Sequence, residues 1–163
     1  MITQNQLIEI LKYDKNTGIF TWINNGYQNH YKAGEIAGTL NSSGYIQIKI
    51  KGKCYRAHRL AWIYVYGESP KEQIDHINGI RNDNSINNIR ECSHAENLQN
   101  QRKPQARNTS GFFGVSFDKS KVKYRAQISV NGKNINLGLF KTASSAHDVY
   151  LTAKRKYHEF CTI

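Results

Sequence analysis

The residues best suited to chemistry lie in an asparagine-rich stretch in the middle of the chain. Asp75 and His76 are adjacent at the end of a short apolar segment, and Asn88 and Asn97 follow them. His76 can take a proton from water near neutral pH, because an unperturbed imidazole has a pKa of roughly 6.5. Asp75 and Asn97 carry oxygens that Mg²⁺ accepts as ligands, and Asn88 can fix the orientation of the imidazole. A base, a hard cation and an orienting group are what phosphodiester hydrolysis requires.

The same stretch also has a purely structural explanation. Residues 75–88 are crowded with Asn and Asp, and a tight irregular loop favours side chains that bond their own backbone. In a regular strand, moreover, Asp75 and His76 would point to opposite sides. Both can face one site only if the strand is distorted or ends there.

The elements before this stretch are predicted from local patterns. Thr3 and Gln6 fit a capping box at the start of a short helix. A turn-rich segment between Tyr13 and Trp22 indicates a hairpin, and residues 34–50 indicate another. A further strand is expected around Cys54–Ala57, followed by a buried helix over residues 58–66.

The charge of the chain favours a polyanionic partner. Lys and Arg total 23 against 12 Asp and Glu, which gives a net charge of +11. Residues 1–53 contribute +3, residues 54–103 contribute +1 and residues 104–163 contribute +7. An excess concentrated in one module is the electrostatic pattern of a nucleic-acid-binding domain.

Several classes of protein are disfavoured by composition. The sequence has no apolar run of the roughly 20 residues that a membrane span needs, and its N-terminus does not resemble a secretory signal. Cys54, Cys92 and Cys161 form no CxxC pair, so neither a disulfide framework nor a four-thiolate zinc site is expected. These features predict a soluble protein of a reducing cytoplasm, without a membrane partner.

The last third of the chain has the pattern of three strands and a helix. Alternating apolar residues predict strands over 113–117, 124–130 and 135–139, and Asn131-Gly132 is a strong hairpin signal. Ile135, Leu137 and Leu139 are expected to face inward, and helical spacing follows over 146–157. The outward residues of this sheet suit phosphates and base edges of the major groove: Lys123, Arg125, Gln127, Asn134 and Asn136.

Residues 54–100 resemble the HNH nucleases of phages and mobile introns, whose fold is a ββα-metal (His-Me) finger. The resemblance rests on HRLAW, DHINGIRNDNSINNIR and the closing AEN. It implies that Asp75 is a metal ligand, His76 the general base, Asn88 its support and Asn97 the second metal ligand. The implied cofactor is Mg²⁺ or Mn²⁺, and no structural zinc is expected because the cysteine pairs of some HNH enzymes are missing.

Three neighbouring side chains have alternative roles. His94 is a second candidate ligand, although we expect it to face solvent. For His58 and Arg59, at the start of the buried helix, a packing or hydrogen-bonding role is favoured over a phosphate contact.

Residues 110–160 resemble the Apetala-type (ethylene-response-factor-like) DNA-binding domain, in which three strands pack on one helix. The matching segments are SGFFGVSFD, KYRAQISVNGK and INLGLFKTASSAHDVY. The family's usual strand Trp is replaced here by Tyr124. The resemblance leaves Lys123 and Arg125 as the best candidates for DNA contact.

Together these observations predict an α+β protein: a β-rich N-terminal region (1–53), an HNH nuclease domain (54–103), a linker (104–110) and a DNA-binding domain (111–163). The predicted function is a metal-dependent endonuclease of the HNH homing type. It would act on double-stranded DNA as a monomer or homodimer, in the cytoplasm of a phage-infected bacterium. The alternatives are a catalytically inactive, sequence-specific DNA-binding regulator and, less favoured because exposed aromatic platforms are lacking, an RNA-binding protein.

Overall fold

The chain starts with a short helix that leads into a hairpin. Helix α1 (Gln4–Ile10) is stabilised by the predicted capping box, in which Thr3 Oγ1 accepts from Gln6 N and Gln6 Oε1 accepts from Thr3 N. Strands β1 (Leu11–Tyr13) and β2 (Phe20–Trp22) then pair antiparallel, as predicted. The structure, a computed structural model, describes residues 2–26, 30–101, 104 and 108–162.

A second sheet follows the hairpin and ends in a buried helix. It has the strand order β3 (Thr39–Leu40), β4 (Ile46–Ile50) and β5 (Lys53–Arg56), with antiparallel neighbours. Helix α2 (Ala57–Tyr66) continues directly from β5. It ends at Gly67, whose left-handed backbone (φ 82°) suits glycine.

The predicted strand end at His76 is confirmed. Strand β6 (Gln73–His76) pairs antiparallel with β7 (Ile89–Cys92), and a 3₁₀ helix (Ile86–Asn88) precedes β7. All these elements belong to the first of two compact units, Met1–Ser93. One hydrophobic core joins them, and it takes Leu7 and Phe20 from the N-terminal region as well as Leu60 and Ile89. This core takes residues from both sides of residue 53, and the predicted domain boundary there stays a prediction.

The second unit, His94–Ile163, contains helix α3 (His94–Gln99) and the predicted three-stranded sheet with one helix. The strands are β8 (Val115–Asp118), β9 (Lys123–Val130) and β10 (Lys133–Phe140), in the order β10-β9-β8. Helix α4 (Ala143–Tyr157) buries Ala146, Tyr150 and Ala153. The α+β class is thus confirmed.

Of the three residues of β10 expected to face inward, Ile135 is 37% exposed and Leu139 was predicted wrongly. A register shift between Asn136 and Gly138 places Leu139 opposite Arg125 and Phe140 opposite Tyr124. Phe140, rather than Leu139, packs against the core around Ala126. A bulge inserts one extra residue and so reverses the alternation, which a strict period of two does not anticipate.

The predicted linker 104–110 is described only at Pro104 and residues 108–110, and its remaining residues lie outside the described ranges. Its last part belongs to the second unit. Asn108 Nδ2 donates to the carbonyl oxygens of Phe112 and Val115, and Ser110 Oγ donates to the same Val115 oxygen. In the described part of the chain, none of the helices is both long and apolar enough to cross a bilayer.

Candidate active site

The β6–β7 hairpin places Asp75 and His76 at the buried end of a strand. Asp75 is 7% exposed and His76 is 4% exposed. In the register of the hairpin, Asp75 lies opposite Arg90 and His76 lies opposite Ile89. Two polar side chains are thus buried next to each other. Because a buried polar group is out of contact with water, its hydrogen-bond partners determine its orientation and its protonation state.

Asp75 is held by a two-pronged ion pair. Arg90 donates from Nε at 3.0 Å and from Nη2 at 2.8 Å, and both bonds go to Asp75 Oδ2. The planar guanidinium fixes the carboxylate through two donors at once. Arg90 therefore sets the orientation of the predicted metal ligand.

His76 is bonded by an asparagine that no sequence pattern singles out. His76 Nε2 lies 3.3 Å from Asn84 Oδ1. An amide oxygen at this position accepts the ring proton from Nε2, which makes Nδ1 the basic nitrogen. Asn84 is itself buried, and its backbone oxygen accepts from Tyr13 Oη at 2.6 Å.

Asn88 shapes the loop between the two strands of the hairpin. Its Oδ1 accepts from Asn78 N at 2.9 Å, and its Nδ2 donates to Asp83 O at 2.8 Å. Its backbone oxygen accepts from Ile77 N at 2.8 Å. These bonds tie the two ends of the loop together, while the predicted role of Asn88 in orienting His76 stays a prediction.

Asp83 is the second carboxylate of the loop. Its Oδ1 accepts from Ser85 Oγ at 2.7 Å and its Oδ2 accepts from Asn78 Nδ2 at 2.7 Å. Burial by itself raises the pKa of Asp83, but the hydrogen bonds from Ser85 and Asn78 outweigh this effect and the net pKa is lowered. Asp83 therefore stays ionised as part of the loop framework.

An aromatic cluster surrounds His76. The His58 ring lies edge-on at 5.0 Å between centroids, and the Tyr45 ring lies 5.3 Å from His58 and 5.9 Å from His76. Burial lowers the pKa of His76, and Arg81 acts in the same direction, whereas the Asn84 hydrogen bond and the Asp75 and Asp83 charges oppose them. A lowered pKa keeps the imidazole neutral, which is the form that accepts a proton.

His58 and Arg59 have the expected packing and hydrogen-bonding positions. His58 Nδ1 is buried and has no hydrogen-bond partner among the described residues. Burial, assisted by the neighbouring His76 and Arg56, lowers the pKa of His58 to about 3. Arg59 Nη2 donates to Pro70 O at 3.3 Å.

The predicted ligand Asn97 lies on α3, in the second unit. It is half-buried there, whereas His94 is exposed, as expected for a histidine that faces solvent. The pairing of Asn97 with Asp75 at one cation stays a prediction. Within the described residues there is no group of three or more His, Cys, Asp or Glu side chains that could hold a metal.

The donor set nevertheless fits a magnesium-type cation. Asp75 supplies a buried, oriented carboxylate, and Mg²⁺ commonly takes only one or two protein ligands and completes its shell with water and substrate phosphate. Such a site needs no third carboxylate or imidazole. Asp75 is the residue of the first unit that would hold the cation.

The predicted DNA-binding face lies on the outer side of the second unit's sheet. Lys123, Gln127, Asn134 and Asn136 are exposed, and Asn136 pairs with Gln127 across β9 and β10. The side chain of Arg125 is 41% exposed, and its Nη2 donates to Asp118 Oδ2 at 2.5 Å. An ion pair within the sheet therefore already engages one of the two best candidates for DNA contact.

Four contributors to the site have no clear sequence signal. Asn84 is one asparagine among many in its loop, and Arg90, although it ends the HNH-like segment, is placed against Asp75 only by the register of the hairpin. Tyr45 and Tyr13 come from distant elements, so only the tertiary structure brings them close to His76 and Asn84.

Comparisons with known proteins place the middle segment of the chain in a known family of nuclease domains. Residues 55–99, which include all four predicted catalytic and metal-binding residues, match the model of the HNH endonuclease family. Protein 3.8 of Escherichia phage T7 is 29% identical over 109 residues, covering 66% of this chain and 89% of that protein. A solved structure of DNA binding and cleavage by the HNH homing endonuclease I-HmuI aligns with 85% of this chain and 76% of its own, at 20% identity and a TM-score of 0.43. The match to the family model confirms the HNH resemblance of the middle segment, and the Apetala-type resemblance stays a prediction.

Proposed function

We propose that the protein is a metal-dependent DNA endonuclease of the HNH homing type. The observation that carries the proposal is a buried His76, bonded through Nε2 to Asn84 and adjacent to an oriented Asp75. Both residues lie inside the segment that matches the HNH endonuclease family. Because a relative of the protein comes from phage T7, we also propose that this protein is encoded by a phage.

His76 would act as the general base. With its proton on Nε2, it would use Nδ1 to take a proton from a water molecule as that water attacks phosphorus. Asn84 would stabilise the resulting imidazolium through the same hydrogen bond. The expected products carry 5′-phosphate and 3′-hydroxyl ends.

Asp75 and Asn97 are the residues that would hold a divalent cation, Mg²⁺ or Mn²⁺. When bound, the cation would supply charge neutralisation at the phosphate. Arg90 would keep the Asp75 carboxylate in one orientation through its two hydrogen bonds.

The second unit would hold the duplex through the exposed face of its sheet. Cationic and amide side chains there suit phosphate and base-edge contacts, and residues 104–163 carry a charge excess of +7. The single catalytic site at His76 would cut one strand. A monomer would therefore nick the duplex, and a double-strand break would need a homodimer or two successive events.

One observation favours a second candidate, a DNA-binding regulator without catalysis. Asp75, the predicted metal ligand, is already engaged in an ion pair with Arg90. In that case the protein would bind duplex DNA and leave it intact.

Plasmid relaxation separates the two candidates. Supercoiled plasmid is incubated with protein and Mg²⁺ or Mn²⁺, with and without EDTA, and nicked circles are measured. If the protein is an endonuclease, nicking should be abolished by EDTA and by His76→Ala. The matched variant His30→Ala, which changes an exposed histidine, should still nick the plasmid. Equal nicking by His76→Ala would exclude His76 from the mechanism, and DNA binding without any nicking would favour the regulator.

A further inference from the structure

Two arginines stack on the tyrosine beside His76. The guanidinium carbon of Arg56 lies 4.5 Å from the centroid of the Tyr45 ring, and that of Arg81 lies 5.2 Å from it. The same ring lies 5.9 Å from the ring of His76. Two positive charges are thus gathered at one aromatic ring that also contacts the proposed base.

Like charges held this close repel each other unless an anion lies near them. The described residues place no carboxylate within ion-pair distance of either arginine, since the ion pairs found among them are Arg90–Asp75 and Arg125–Asp118. Arg81 donates from Nη1 to Ser43 O at 3.0 Å, which fixes the side chain through one of its five N–H donors. Both arginines are exposed, so a ligand can reach them.

The start of helix α2 adds positive potential at the same place. Arg56 is the N-cap residue of this ten-residue helix, no side chain caps it within the described structure, and the first turn contains no acidic residue. A helix N-terminus carries a partial positive charge, so Asp, Ser or Thr is the usual choice there, and arginine is unfavourable. An arginine at an uncapped helix N-terminus is stabilised when an anion binds between its guanidinium group and the N–H groups of the first turn.

We propose that Arg56, Arg81 and the N-terminus of α2 form a binding site for a backbone phosphate of the DNA strand that is cut at His76. Tyr45 holds the two guanidinium groups in place through its ring, and its nearness to His76 puts the bound strand next to the base. The identity of the ligand rests on the proposed endonuclease function. The anion site itself rests on side chains and a helix N-terminus that all belong to the first unit.

Salt-dependent DNA binding tests the site without catalysis. In a His76→Ala background with EDTA, anisotropy of a labelled duplex gives the dissociation constant at several salt concentrations. Arg56→Ala and Arg81→Ala should each weaken binding about tenfold and reduce the slope of log K against log salt by about one. Lys53→Ala is the matched control. It removes an equal charge from an exposed position of the same strand, but Lys53 lies three residues from Arg56 and therefore on the opposite face of the strand.

The tyrosine provides a second, charge-neutral variant. Tyr45→Phe keeps the aromatic face and should bind like the parent, whereas Tyr45→Leu should lose part of the affinity without a change in net charge. In the nicking assay, with His76 intact, Arg56→Lys and Arg81→Lys should recover part of the activity that the alanine variants lose.

The outcomes distinguish this site from the proposed function. If Arg56→Ala and Arg81→Ala match Lys53→Ala in affinity and salt slope, the phosphate site is refuted even if the protein nicks plasmid. If they show the expected loss while the parent protein never nicks DNA, the phosphate site stands and the endonuclease is refuted.

Discussion

Replacing Gly18 by alanine is expected to damage the candidate active site, because Gly18 lies against the loop that carries Asn84. Gly18 has a left-handed backbone (φ +72°) in the turn between β1 and β2. A Cβ atom there would lie 2.8 Å from Asn84 Cα, and closer still to the carbonyl carbon of Asn84 and the nitrogen of Ser85. These backbone atoms belong to or adjoin the residue that bonds His76, so they cannot move aside without moving Asn84.

The expected cost has two parts. A left-handed alanine costs about 1–2 kcal/mol, and forcing one extra carbon into a packed site costs about 1–3 kcal/mol. Gly52→Ala is the matched control, because Gly52 has the same type of backbone (φ +79°) but no atom within 4 Å of its added Cβ. The free energy of unfolding should therefore fall about 1–3 kcal/mol more in Gly18→Ala than in Gly52→Ala.

Urea unfolding followed by tryptophan fluorescence measures this difference. The two tryptophans of the chain, Trp22 and Trp62, both lie in the first unit, so the signal reports on that unit. The nicking rate per folded molecule should also fall in Gly18→Ala and stay unchanged in Gly52→Ala. Equal unfolding free energies for the two variants would refute the close approach of Gly18 to Asn84, and an unchanged rate would refute the role of Asn84.

Three further predictions concern single side chains. Asn84→Ala should lower the nicking rate about 10–100-fold because His76 loses the acceptor on Nε2, and wild-type rates in this variant would exclude that hydrogen bond from the mechanism. Between about pH 6.5 and 3, His58 is protonated in the unfolded chain but stays neutral in the folded protein, because its pKa is lowered to about 3. As the pH is lowered through this range, the free energy of unfolding should therefore decrease by up to about 1.4 kcal/mol per pH unit. Urea unfolding of His58→Gln at pH 7, 5 and 4 should show a smaller fall than the wild type, and parallel curves would contradict the assignment. Asp118→Asn should release Arg125 from its ion pair and tighten duplex binding in the anisotropy assay, whereas Arg125→Ala should weaken it. Unchanged affinity in both variants would exclude this face from DNA binding.

The sequence by itself determined the elements whose signals are local. The capping box of α1, the two N-terminal hairpins, the buried helix α2 and the strand end at His76 all follow from residues a few positions apart. The same holds for the HNH segment, whose residue types and spacing are enough to indicate the family model that it matches. Local periodicity is reliable here because capping, turns and the alternation of strand faces act between near neighbours.

The tertiary structure decided which of these residues touch. The side chain of Asn84 contacts His76 while that of Asn88 bonds Asn78 and Asp83, because the loop between β6 and β7 is irregular and its asparagines look alike in sequence. The pair of Arg90 with Asp75 depends on strand register, and a bulge turned Leu139 to the other face. Contacts of this kind depend on how distant segments are aligned, and that alignment is set by packing of the whole unit rather than by any local pattern.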